Sequence, residues 1–180
     1  MRLCESILDK PKERKSPREL IVSSAHLAGG SSPALSELEY GLILFSHAFN
    51  RWMVRCMAAA GVPSLSPVEI LIIHSVRHRG RPKTLSDLCL VLDIEDTHVA
   101  NYAVKKLEAA GLGKTGKEKM IQVTDKGLEA LTRYSEIRER LLVEATKVSG
   151  LSQDDLSDIA SHLRALSGYY EQAARSAATL

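Results

Sequence analysis

Between Thr97 and Lys106 the chain reads Thr-His-Val-Ala-Asn-Tyr-Ala-Val-Lys-Lys. On a helix, His98, Asn101, Tyr102 and Lys105 recur at i, i+3, i+4 and i+7, so they share one face. Those groups suit a DNA groove. An asparagine amide can bond an adenine edge in two places, histidine and tyrosine can reach bases or phosphates, and lysine neutralises phosphate charge. Thr97 at the helix start and Lys106 at the margin of the face would meet the backbone. This is recognition chemistry. The sequence has no Gly-x-Ser-x-Gly, no glycine-rich phosphate loop after a strand and no clustered carboxylates, so neither an enzyme nor a resident cofactor is expected.

The flanking sequence must position that face. Ala100, Ala103, Val104 and Leu107 line the opposite side, Asp96 or Thr97 can cap the start, and Ala110-Gly111 supplies a stop. A shorter helix precedes it, with Thr84 and Asp87 spaced for a capping box and Leu85, Leu88, Cys89 and Leu92 forming one apolar stripe. After it, Leu112 to Gly116 and Met120 to Val123 flank Gly116-Lys117-Glu118-Lys119, a pattern that predicts a short hairpin with a glycine-containing turn. Lys117 and Lys119 at its tip would touch phosphates or the minor groove. Two helices and a basic hairpin in this order make a winged helix-turn-helix.

The run Leu107-Glu108-Ala109-Ala110-Gly111-Leu112, the basic wing, and Val123-Thr124-Asp125-Lys126-Gly127 together resemble the multiple-antibiotic-resistance regulator (MarR) family, from about Leu35 to the C-terminus. The wing is shorter than the family's and lacks its Asp-x-Arg signature, leaving Lys117 and Lys119 in that role, and Asn101-Tyr102 stands where a Thr-Arg pair is usual. The resemblance implies a dimeric bacterial transcription regulator. It also implies that Arg81-Pro82-Lys83 pairs with the wing, and that a small-molecule effector binds between the dimer helices and the DNA-binding lobe. His47, Arg51 and Trp52 are candidate lining groups, each also readable as core or interface.

Composition agrees with a mainly α protein. The chain has 180 residues, 44% hydrophobic and 26% charged, with only 4% aromatic, and alternating β-branched runs are scarce. The net charge of +2 is unevenly spread, with ten Lys and Arg against seven Asp and Glu over residues 77–126. Positive charge therefore gathers on the unit expected to bind the groove, as binding to phosphates requires. No stretch resembles a signal peptide or a membrane span, so a cytoplasmic protein is expected.

Four regions follow. Residues 1–33, with the basic cluster Lys10 to Lys15, three prolines and Gly29-Gly30-Ser31-Ser32, form a flexible basic arm. Residues 34–63 carry a long helix, opened by a Ser36–Glu39 capping box, and residues 124–180 carry two more. Residues 64–123 are the winged helix domain, starting at the capping signal Ser66-Pro67-Val68-Glu69. After the wing, Thr124 caps a helix whose apolar face includes Leu128, Leu131, Ser135, Leu142 and Ala145. Ser152 with Asp155 opens the last, in which Leu156, Ile159, Leu163, Leu166 and Tyr170 are spaced close to a heptad. These long helices, 34–63 and 124–180, are expected to cover one another in a homodimer that reads a palindromic operator.

Other readings stay open. The winged helix could instead bind a protein, since Glu95-Asp96 puts acid at the start of the recognition helix. His74 and His78 stand at i, i+4, a metal-chelating spacing without an evident third ligand. Cys4, Cys56 and Cys89 are unpaired, and a thiol sensor is conceivable, although Cys56 and Cys89 both sit on apolar stripes. The expectation is a dimeric, sequence-specific, double-stranded-DNA-binding transcription regulator of repressor type, with the metal- or redox-sensing variant ranked last.

Overall fold

The computed structural model describes residues 19–180. Cys4 and the basic cluster of residues 10–15 lie outside them. The described residues divide into two compact units, one ending at Phe49 and the other running from Asn50 to Leu180.

In the first unit a short helix, α1 (Ala25–Ala28), precedes the start of α2 (Pro33–Ala59). The long helix begins three residues before the Ser36–Glu39 pair that was expected to cap it. Proline opens a helix at no loss, because its φ is already helical and the first-turn N–H has no intrahelical partner anyway. Ser36 is consequently buried within the first turns. Ile43, Leu44, Phe45 and Phe49 are exposed, the two phenylalanine rings stacking with centroids 6.0 Å apart.

The second unit begins with the last turns of α2 and continues through α3 (Pro67–Arg77), α4 (Leu85–Leu92), α5 (Thr97–Ala109), β1 (Gly113–Thr115), β2 (Ile121–Val123), α6 (Asp125–Arg138), α7 (Glu144–Lys147) and α8 (Gln153–Ala177). The protein is mainly α with a small β wing, as the sequence predicts. Most starts are capped as read. Thr84 and Asp87 bond reciprocally, as do Ser152 and Asp155, and the Thr124 hydroxyl accepts the Gly127 N–H at 3.1 Å. Each cap satisfies donors that a helix start otherwise leaves open.

One core serves the lobe. Met53, Cys56 and Met57 from α2, Ile70, Ile72, Ile73 and Val76 from α3, Leu88 from α4, and Ala100, Ala103, Val104 and Leu107 from α5 are buried together with Leu112, Ile121, Leu131 and Tyr134. The face that α6 buries differs slightly from the expected one: Gly127, Ala130, Leu131 and Tyr134 turn inward, while Leu128 and Ser135 are exposed. Gly127 sets this rotation. A Cβ there would collide with the Leu112 carbonyl and with Val123, so only glycine lets the helix start press onto the wing.

Two features were not foreseen. A π-turn, Glu139–Val143, joins α6 to α7 where one regular helix was expected, and it re-phases the faces beyond it. In α8, none of the 25 residues is buried. Among the described residues no helix is long and apolar enough to cross a membrane.

Candidate nucleic-acid interface

The geometry of α5 follows from its two faces. Ala100, Ala103, Val104 and Leu107 are buried against the lobe core. That fixes the rotation of the helix and turns Thr97, His98, Asn101, Tyr102 and Lys105 outward, all exposed, with Tyr102 64% accessible. Asp96 is the N-cap, its carboxylate accepting the His98 N–H at 2.8 Å. The acid that looked awkward beside phosphates therefore has a structural task in holding the first turn.

Lys106 is placed differently from its neighbours. Its ammonium lies 3.1 Å from the Glu69 carboxylate and 5.9 Å from the centre of the Tyr102 ring. Glu69 is 3% exposed, the one buried acidic side chain among the described residues. Its other oxygen accepts the Ser66 N–H at 2.5 Å. A carboxylate so desolvated needs both partners, since a buried charge left unpaired is strongly destabilising. The pair braces the recognition helix to the start of α3 and puts a cation beneath Tyr102. Sequence reasoning used Glu69 only as a helix cap and missed this second role; the available signal was an acid inside the otherwise apolar run Val68 to Ile73.

The wing is a two-stranded antiparallel ribbon in the register Gly113↔Val123, Lys114↔Gln122 and Thr115↔Ile121. Lys83 joins its edge, donating to the Ile121 carbonyl at 3.2 Å and accepting the Ile121 N–H at 2.8 Å. The pairing implied for Arg81-Pro82-Lys83 is therefore present at Lys83. At the tip, Lys117 and Lys119 are exposed, and the left-handed positions fall on Glu118 and Lys119, not on Gly116. Non-glycine residues in that region are uncommon and strained. Glu108 accepts the Thr115 N–H at 2.8 Å, tying α5 to the wing, and Lys126 of α6 donates to the Ala110 carbonyl at 2.7 Å. Lys114, exposed on β1, adds a basic group that the sequence reading passed over.

The other singled-out residues sit apart from this face. His74 is partly buried, with its ring edge-on to Tyr134 at 4.7 Å, and burial followed by the nearby Arg77 charge pushes its pKa down. His78 is exposed. Among the described residues no three metal-ligating groups come together. Cys56 is buried with its thiol 3.5 Å from the Tyr134 carbonyl, and burial raises its pKa, which disfavours the reactive thiolate. Cys89 is half-buried against the core.

Residues 65–127, which hold α3 to β2, match the family model of a winged helix DNA-binding domain. This lobe is a winged helix domain. The matched model is of a nucleic-acid-binding domain, not of an enzyme. Solved structures with the same fold include AbfR of Staphylococcus epidermidis, with TM-score 0.63 and 16% identity over 78% of this chain and 93% of that one. A transcriptional repressor, CouR, bound to p-coumaroyl-CoA superimposes with TM-score 0.58 and 18% identity over 72% and 91% of the two chains. The reduced form of MarR from E. coli does so with TM-score 0.53 and 15% identity over 69% and 89%. No curated relative matches the sequence. The MarR-like fold thus extends beyond the winged lobe into the flanking helices.

Proposed function

We propose that this MarR-like protein is a dimeric, sequence-specific regulator of transcription that acts on double-stranded DNA in the cytoplasm as a ligand-responsive repressor. The observation that carries the reading is the division of α5 into a fully buried apolar face and an exposed face of His98, Asn101, Tyr102 and Lys105 beside a lysine-tipped wing. In the groove, Asn101 and Tyr102 would read base edges, with His98 and Lys105 flanking them. Thr97 would meet the backbone, and Lys117 and Lys119 would follow the phosphates or the minor groove. Lys106, first assigned to the backbone, would act mainly through Glu69, since its charge is already engaged. The exposed apolar face of α8 supports a homodimer whose two recognition helices address a palindromic operator. A repressor of this fold bound to a small molecule supports ligand control.

Selection of the protein on randomised duplexes by fluorescence anisotropy, with a salt titration, tests the reading. A two-fold symmetric site with steep salt dependence is expected. Asn101→Ala should relax the sequence preference, whereas Lys117→Ala should weaken binding to all sequences and flatten the salt slope by about one unit. Equal effects of both variants on selected and random DNA would sink the assignment. A protein-binding winged helix has one specific observation in its favour, the exposure of Leu90 at 83% and Val91 at 63% on α4. Absence of DNA binding even at low salt would move the weight there.

A further inference from the structure

The segment from the end of α3 to the start of α5 is divided by charge. Residues 77–83 carry Arg77, Arg79, Arg81 and Lys83 and no acid, whereas residues 84–96 carry Asp87, Asp93, Glu95 and Asp96 and no cation. The two sets lie at opposite ends of α4. The cations precede its start, and Asp93 and Glu95 follow its last turn, about 12 Å away along a helix of 8 residues. Asp87 and Asp96 serve as caps. Arg79, Arg81, Asp93 and Glu95 are exposed, and among the described residues none of these four forms an ion pair.

This arrangement does nothing for α4 itself. A helix dipole favours acids at the start and cations at the end, and the free charges here stand the other way round. Between the charged ends, Leu90 and Val91 are both largely exposed, and covering them would remove apolar surface from water. A surface with cations at one end, acids at the other and an apolar centre is complementary to itself. A second copy, turned end for end about a two-fold axis, sets its acids against these cations and its cations against these acids, with the apolar pairs meeting in the middle.

From these features we infer that the α4 face is a contact between copies of this chain, separate from that of the long helices, in which Arg79 and Arg81 of one copy meet Asp93 and Glu95 of another. Its consequence on DNA rests on the regulatory reading: molecules at neighbouring sites would bind cooperatively. The test is run without DNA, so that either reading can fail alone.

Sedimentation velocity of the full chain over a range of concentrations reads the association. It should weaken at least about tenfold between about 50 mM and about 1 M salt, where screening shortens to about 3 Å. Two double variants each change the charge of one end: Arg79→Glu with Arg81→Glu, and Asp93→Asn with Glu95→Arg. Either variant alone meets like charge and should associate at least about tenfold more weakly, whereas an equimolar mixture of the two should regain the native strength, because each then faces its opposite. Leu90→Ser should weaken the contact and leave its salt dependence in place. Circular dichroism checks that every variant keeps the native helical signal. An association indifferent to both charge variants, or one that mixing fails to restore, would overturn the inference. So would an association lost only with Leu163→Glu and Leu166→Glu, which belongs to α8. Absence of any salt-dependent association would overturn it too, and would leave the α4 face to a different protein.

Discussion

The recognition helix and the last helix carry the same kind of signal and meet opposite ends. In α5, apolar residues on one stripe are at most 5% exposed. In α8, five apolar residues near a heptad remain at the surface, with Leu156, Ile159 and Tyr170 at 36%, 46% and 40% exposure and Leu163 and Leu166 partly covered. Periodicity says which face of a helix avoids water, but not what covers it. For α5 the cover is local: α3, α4 and the wing are joined to it by short connections and close around it. Within the unit that contains it, α8 buries no residue. An amphipathic helix with such a face is stable when a partner removes that surface from water, which contributes on the order of 25 cal/mol per Å².

The largest expected effect tests the covered helix. Leu107→Ala removes a fully buried side chain and should destabilise the lobe by about 2–5 kcal/mol in urea denaturation. Ile159→Ala, its counterpart on α8, should leave the denaturation midpoint of a dilute sample within about 0.5 kcal/mol and act only through self-association. Next in size is the open face itself. Leu163→Glu combined with Leu166→Glu should halve the mass seen by light scattering while the far-ultraviolet helical signal persists. Operator affinity should then fall by about 100-fold, roughly 2.7 kcal/mol, because two half-sites are no longer linked. An unchanged mass would show that the face is covered in some other way.

What was legible in the sequence follows the same divide. Caps are local, so Thr84 with Asp87, Ser66 with Glu69, Thr124, and Ser152 with Asp155 could be read from spacing alone, and so could the stripes of α4 and α5. The recognition face followed, because burying Ala100, Ala103, Val104 and Leu107 leaves His98, Asn101, Tyr102 and Lys105 only one direction. What escaped depends on distant contacts. The partner of Lys106 lies on α3, the rotation of α6 is set by Gly127 against Leu112, and the π-turn at Glu139–Val143 has no spacing signature. The turn at the wing tip was legible, but its left-handed positions, Glu118 and Lys119, were not.

The brace between Glu69 and Lys106 sharpens the comparison, because it ties α5 to the lobe by charge as well as packing. Lys106→Met keeps most of the stem but strands a buried carboxylate. It should destabilise the lobe by about 1–3 kcal/mol, at the lower end if solvent at the half-exposed lysine screens the loss. Operator binding should weaken with an unchanged salt slope, since this ammonium is already neutralised by Glu69. Lys105→Ala should instead lower the slope by about one unit at little change in stability. A slope lowered equally by both would mean that Lys106 faces phosphate.

The smallest effect concerns the joint between α3 and α6, where His74 meets Tyr134. Burial, and secondarily the charge of Arg77, lowers the His74 pKa below its ordinary 6.5. The fold thus prefers the neutral imidazole. Above pH 6.5 the ring is neutral in folded and unfolded chains alike, and the full stability is present. As the pH falls below that value, the unfolded chain takes up a proton that the folded chain resists, and stability is lost until the lower folded pKa is passed. The other lowered groups, Asp87 and Asp155, start from 3.8 and titrate lower still, so they do not blur the interval between pH 6.5 and 5. Across that interval Tm should drop by on the order of 1–2 °C, as befits one partly buried ring. His74→Phe keeps an aromatic ring against Tyr134 and removes the proton site, so its Tm should be flatter than that of the native chain over the same range. An unchanged slope would show that this joint is held by packing alone.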